Sequence, residues 1–263
     1  MDIVTYIGLS DKEKVERIKE ELNQHKKYLK VKIDKTEIII EHIYLGLEFV
    51  YIPSGKYLRG LSDKELSQAK KICDRLPFNV EEMRPTMEKS VSNFLVTRTP
   101  ILNSFIKKYM DISYYDMDSM TAAYVKKEVA DNLCDMLSLR LPTEDEWEYF
   151  VRANSTDLFT FGNTLPDDTE LDKWLNFDFS DLKNNNCNRF GLYGIYTGDW
   201  CNNHYKKSYQ KYEKEESDYS IRGGGAYFWP WQDNEWIWCM SAMRMPSSEL
   251  IDNECGFRLI MDI

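Results

Sequence analysis

The stretch LRLPTEDEWEYFVRA, residues 139–153, decides how the chain is read. Pro142 ends a connection and stands directly before Thr143. Thr143 and Glu146 have the T-x-x-E spacing of a capping box, in which each side chain satisfies a free backbone N–H of the other residue. Trp147, Phe150 and Val151 then recur at i, i+3 and i+4, the spacing of one inward-facing helix side. A short helix with a defined start is expected here.

The same signals extend outward. Residues 120–137 (MTAAYVKKEVADNLCDML) place Ala123, Val125, Val129, Leu133, Cys134 and Leu137 on one side and predict an amphipathic helix. In it Cys134 serves as a small core residue. Residues 10–29 predict another, with a Ser10–Glu13 capping box and Val15, Ile18, Leu22 and Leu29 in one stripe. YLKVKIDKTEIIIEHI reads as two short strands with a turn near Asp34–Lys35, and residues 47–60 as strand, Pro-Ser-Gly turn and strand. A helix is expected over 62–73, a strand around 88–97, and a helix near 102–110 after the break at Pro100. Residues 154–218 are polar and rich in turn formers, yet carry Phe159, Phe161, Trp174, Phe177, Phe179, Phe190, Tyr193 and Trp200. These aromatics argue for loops packed on buried rings and side-chain-to-backbone bonds rather than for disorder. The last third reads as strands.

Composition bounds the function. The 263 residues carry a formal net charge of −10 and no strongly basic segment, which speaks against nucleic acid or an anionic membrane as partner. No apolar run is long enough to span a bilayer, and the first residues lack the pattern of a secretion signal. The 6 cysteines show no C-x-x-C pair and read as free thiols of a cytoplasmic protein. The 3 histidines are far apart, which makes a histidine-built metal site unexpected.

Six segments in order resemble one family: FVYIPSGKYLRG, NFLVTRTPILN, LRLPTEDEWEYFVRA, FTFGNTLPD, NRFGLYGIYTGDW, and the closing pair IRGGGAY and CGFRL. The family is the sulfatase-modifying-factor domain of formylglycine-generating enzymes. The resemblance implies an α+β, elaborated C-type-lectin-like fold, low in regular secondary structure, over residues 46–263. Residues 1–45 lie outside it and are expected as an N-terminal helix and β-hairpin extension. Arg222, Arg244 and Arg258, in strand-like segments, are expected to pair with carboxylates such as Glu146 or Glu148.

Catalytic members resembling this chain oxidise a substrate cysteine with copper held by two cysteines soon after the closing glycines, soft thiolates suiting Cu(I). The equivalent positions here are Phe228 and Asp233, so the resemblance implies a chain without that pair; Cys239 meeting Cys255 or Cys201 is the alternative. The family also implies a structural calcium. Its G-N-V-W-E-W segment is shortened here, with Asp199 in the glutamate's place. Asn176, the Phe177 carbonyl and Asp181 stand for another site, against ordinary Asx turns.

The resemblance makes the segment after the glycines the ligand-facing surface. There AYFWPWQDNEWIW alternates Tyr227, Trp229 and Trp231, and again Trp236 and Trp238, with a turn or bulge about Pro230 and Asp233–Asn234. These aromatics read either as core or as a binding cleft with Arg244. The resulting expectation is a non-catalytic module that binds a peptide or protein partner. The alternatives are a copper or iron oxidase acting on a peptide or protein side chain, with Asp199, Cys201, His204 and Cys239 as conceivable ligands, and a carbohydrate binder.

Overall fold

The computed structural model describes residues 1–23, 27–34, 37–111, 119–209, 218–224, 236–249 and 254–263. Tyr227, Trp229, Trp231, Asp233 and Asn234, all singled out by the sequence, lie outside the described residues, as does Phe228. The chain opens with α1 (Ile3–Gly8) and α2 (Asp11–Asn23), then the hairpin β1 (Leu29–Asp34) and β2 (Glu37–His42). It continues through β3 (Leu47–Ile52), β4 (Gly55–Arg59), α3 (Asp63–Ile72), β5 (Met87–Val91), β6 (Phe94–Thr97) and α4 (Asn103–Ile106). The remaining elements are α5 (Lys127–Leu137), α6 (Glu144–Arg152), α7 (Asp168–Trp174), β7 (Asp199–His204), β8 (Tyr219–Arg222), β9 (Arg244–Pro246) and β10 (Ile260–Asp262).

Among the described residues the strands pair antiparallel into a sheet ordered β1-β2-β3-β6-β10, the pair β4-β5, and the sheet β7-β8-β9. The architecture is α+β, as expected. In the large sheet the two faces bury different partners, because successive strand residues point to opposite sides. Ile40, Phe49, Tyr51, Leu95 and Met261 meet Ile18 and Leu22 of α2. Val50, Ile52, Phe94, Val96 and Ile260 face the main core, which holds Trp147, Phe150 and Leu259. Residues 1–45 therefore share the sheet of the following residues, with β2 pairing β3 in the register Ile40↔Phe49, and supply the helix that covers one face of it. Fully burying Ile18 and Leu22 contributes roughly 1.5–3 kcal/mol each.

Local signals were followed where nothing distant competed. The capping boxes at Ser62–Glu65 and Thr143–Glu146 are formed, and Ser10 and Glu13 bond each other in the same way. The polar middle is packed as expected. Phe159 is fully buried and stacks on Phe161 at 4.9 Å. Asn188 donates to the Phe150 carbonyl at 2.7 Å and accepts from the Phe190 and Leu192 amides.

Four expectations are corrected. The helix expected over 10–29 is described over Asp11–Asn23 and does not reach Leu29, which opens β1. The strand over 88–97 is two strands, β5 and β6, in different sheets. The helix near 102–110 is regular over Asn103–Ile106 alone. The helix over 120–137 begins at Lys127, because Thr121, Ala122 and Val125 are drawn into bridges with Asp178, Leu102 and Cys255. No helix among the described residues is long and apolar enough to cross a membrane.

Candidate functional site

The first turn of α6 delivers the charges on which the interior is organised. Its capping box fixes the start: the Glu146 amide donates to Thr143 Oγ1 at 3.2 Å and the Thr143 amide to Glu146 Oε2 at 2.8 Å. With that phase set, Glu144, Trp147 and Glu148 are buried. Glu148 takes Arg152 at 2.8 Å and Arg222 at 2.7 Å, and Arg152 reaches on to Glu65 at 2.7 Å. Glu144 takes Arg244 through two bonds of 2.7 and 2.8 Å. Thus Arg222 finds one of its expected partners, Glu148. Arg244 instead takes Glu144, and Arg258 takes Asp199 at 3.0 Å, while Glu146 is held by Arg140 at 2.7 Å.

Burial alone would raise the carboxyls of Glu148 and Glu144, but Arg152 and Arg222 hold the first, and Arg244 and Arg222 the second, below the ordinary glutamate range. A carboxyl lowered on folding stabilises the fold above its unfolded value, and that contribution is lost as pH falls through the folded value. The melting temperature is therefore expected to drop as pH decreases below about 4.5, the unshifted value. Glu144→Gln and Glu148→Gln are expected to start lower and show a shallower drop. Calorimetric melts across an acid pH series check this.

The arginine ladder leads into the glycines after β8. A Cβ at Gly224 would stand 2.8 Å from the Trp238 carbonyl oxygen and 2.9 Å from Cys239 Sγ. The lack of a side chain is what permits this approach. The backbone before residue 225 and the backbone after residue 235 therefore meet in one seam. Trp236–Cys239 forms a single 3-10 turn, not the expected strand, and Trp236 and Trp238 are each only 5% exposed. Trp238 packs edge-on against Phe78, and Trp236 against Phe161. Trp236 and Trp238, expected either as core or in a cleft, are core residues here, and Arg244, also buried, turns its guanidinium to Glu144.

All 6 cysteines are free. Burial pushes the thiols of Cys201, Cys239 and Cys255 up. Asp199 and His204 do not gather with these thiols into a ligand set. Asp199 Oδ2 accepts from Trp147 Nε1 at 2.8 Å and from Arg258, and His204 stacks on Tyr219 at 4.6 Å. Among the described residues no three His, Cys, Asp or Glu side chains are grouped to hold a metal ion. Asn176 and Asp181 share one loop, but Asn176 Oδ1 accepts from the Asp178 amide at 3.1 Å and Asp181 Oδ1 from the Lys183 amide at 3.1 Å, the Asx-turn bonds of the alternative reading.

A polar cavity of about 450 Å³ opens at the start of α6. Arg59 of β4, Lys89 of β5, Glu144 and Asp145 of α6, Arg244 of β9, and Asn203, His204, Lys206, Ser208 and Tyr209 line it. Arg59 bonds Asp145, and its guanidinium lies 3.5 Å from the centre of the Tyr209 ring. Arg244 lies 4.3 Å from the Tyr205 ring centre. Arg59, Lys89 and Tyr209 are not singled out by the sequence, where no spacing links them; the one local hint is a charged residue ending a strand immediately before Gly60.

With this geometry in place, comparison with known proteins gives a consistent result. The sulfatase-modifying factor enzyme 1-like domain matches residues 45–263. Among solved structures, PvdO from Pseudomonas aeruginosa is similar with a TM-score of 0.61 and 18% identity, over 88% of this chain and 100% of that one. Treponema denticola variable protein 1 is similar with a TM-score of 0.56 and 14% identity, over 90% of this chain and 100% of that one. At such identities the likeness carries the fold alone. No curated protein matches this chain.

Proposed function

Because this chain belongs to the sulfatase-modifying factor enzyme 1-like domain family, we propose that it uses the family scaffold as a non-catalytic module binding a peptide or protein partner through residues 225–235. The observation that carries the reading is the seam at Gly224. The eleven residues bearing Tyr227, Trp229 and Trp231 depart from and return to one buried place, held by Arg222 on one side and the Trp236–Cys239 turn on the other. Anchored flanks on either side of a sequence rich in indoles favour recognition, because large rigid side chains give contact area at low entropy cost. Neither Phe228 nor Asp233 brings a thiol, and the described thiols nearest that seam are sealed from solvent.

The test is selection from a displayed peptide library, followed by fluorescence anisotropy on an enriched peptide. Trp229→Ala/Trp231→Ala is expected to weaken binding roughly 30-fold or more, two hot-spot side chains being worth at least about 2 kcal/mol together, with the melting temperature unchanged. Unaltered affinity in the folded double variant would remove the reading. The second reading is a copper-dependent oxidase, for which Cys201, Cys239 and Cys255 are the buried free thiols available. Stoichiometric Cu(I) binding that disappears in Cys201→Ala would favour it instead.

A further inference from the structure

We propose that the cavity at the start of α6 binds a compact oxyanion, the phosphate or carboxylate group of a small molecule. This goes beyond the partner-binding reading and involves different residues.

The charge around the cavity runs against that of the whole chain. Arg59, Lys89, Lys206 and Arg244 face Glu144 and Asp145. Four cations against two carboxylates leave an excess of two positive charges, in a protein of net charge −10. The two carboxylates are already occupied. Both oxygens of Glu144 accept from Arg244, while Asp145 accepts from Arg59 and sits 3.3 Å from the Lys89 ammonium. They therefore have little left with which to attract a cation. The tyrosine ring of the wall, Tyr209, which would hold a cation, is covered too, by Arg59.

What remains are unused donors. Arg59 Nε and Tyr209 Oη are shielded from solvent and make no hydrogen bond. Shielded donors without acceptors are unfavourable, and a small shift of these side chains toward an oxyanion bound at this wall gives them acceptors with the right charge. A guanidinium held over a tyrosine ring is positioned in advance, so less freedom is lost when it binds a phosphate or carboxylate edge. A volume of about 450 Å³ admits a small molecule and not merely the ion.

The experiment is isothermal titration of the intact protein with inorganic phosphate, O-phosphoserine and succinate in separate arms at constant ionic strength, with choline as the cation control. Saturable binding of at least one anion and none of choline is expected. Lys206 is exposed, so Lys206→Glu leaves the fold intact; it is expected to weaken binding about tenfold or more, the loss of one charge-assisted contact. Tyr209→Phe is expected to weaken it by a smaller factor. The arm that binds tightest identifies the carrier of the oxyanion. Absence of saturable binding in every anion arm at millimolar concentration, or binding that Lys206→Glu and Tyr209→Phe leave unaltered, would overturn the proposal. The Trp229→Ala/Trp231→Ala variant is expected to bind the anion normally, so the two readings fail independently.

Discussion

Replacing Glu148 with alanine is expected to lower the free energy of unfolding by about 3–5 kcal/mol, the range for breaking a buried ion pair from one side. Glu148 is fully buried and is the shared acceptor of Arg152, Arg222 and the Gly60 amide. Its loss leaves Arg222, also fully buried, with Glu144 at 3.9 Å as its remaining ion partner, whereas Arg152 keeps Glu65. The damage is thus expected to concentrate at β8, directly before the glycine seam. Urea unfolding should show a lower midpoint with an unchanged slope. A Glu148→Leu/Arg222→Met pair, which removes both charges together, is expected to be less destabilised than the sum of the single changes. Strict additivity in that cycle would show that the two residues do not act as a pair.

Trp147→Ala is expected to cost a similar amount, about 3–5 kcal/mol, through a different cause. The indole is 1% exposed, packs against Phe150 with ring centres 6.0 Å apart, and lies under the Arg222 guanidinium at 5.1 Å. Alanine opens a cavity in the main core and also deprives Asp199 of the Nε1 donor. Trp147→Phe is expected to fall well short of this, since it refills most of the space. Burial raises the Asp199 carboxyl against the pull of Arg258, so loss of the indole donor is expected to raise it further. Carbon-13 shifts of the labelled aspartate side chain during a pH titration would read that change.

How far the sequence could be read depended on the range of the interaction. Helix α6 was legible because everything that starts it lies within four residues: Thr143, Glu146, and the inward spacing of Trp147, Phe150 and Val151. The stretch 121–125 looked helical for the same local reasons. It is extended because Val125 exchanges hydrogen bonds with Cys255, and that distant partner leaves no mark on the local pattern. Trp236 and Trp238 alternate as strand residues do, yet the turn that contains them is shaped by Phe78, Phe161 and Gly224. The arginines were legible as a class, since a buried guanidinium requires a carboxylate, but the choice of Glu144 over Glu146 depends on which side of α6 faces β9. The cavity was the least legible part, because its walls come from β4, β5, α6, β9, the end of β7 and Lys206, Ser208 and Tyr209, which only the tertiary fold assembles.

The order of the large sheet bears on how the molecule is made. Strand β10 pairs with β6, Ile260 opposite Val96, across most of the chain's length. A ribosome that has released β3 and β6 holds a half-built sheet with one edge still bare, and the apolar residues Phe94–Val96 wait there until residues 258–262 emerge. Pairings this distant close slowly and leave sticky edges exposed meanwhile. Yield on expression should therefore respond more to chaperone supply and growth temperature than the stability of the finished fold would suggest.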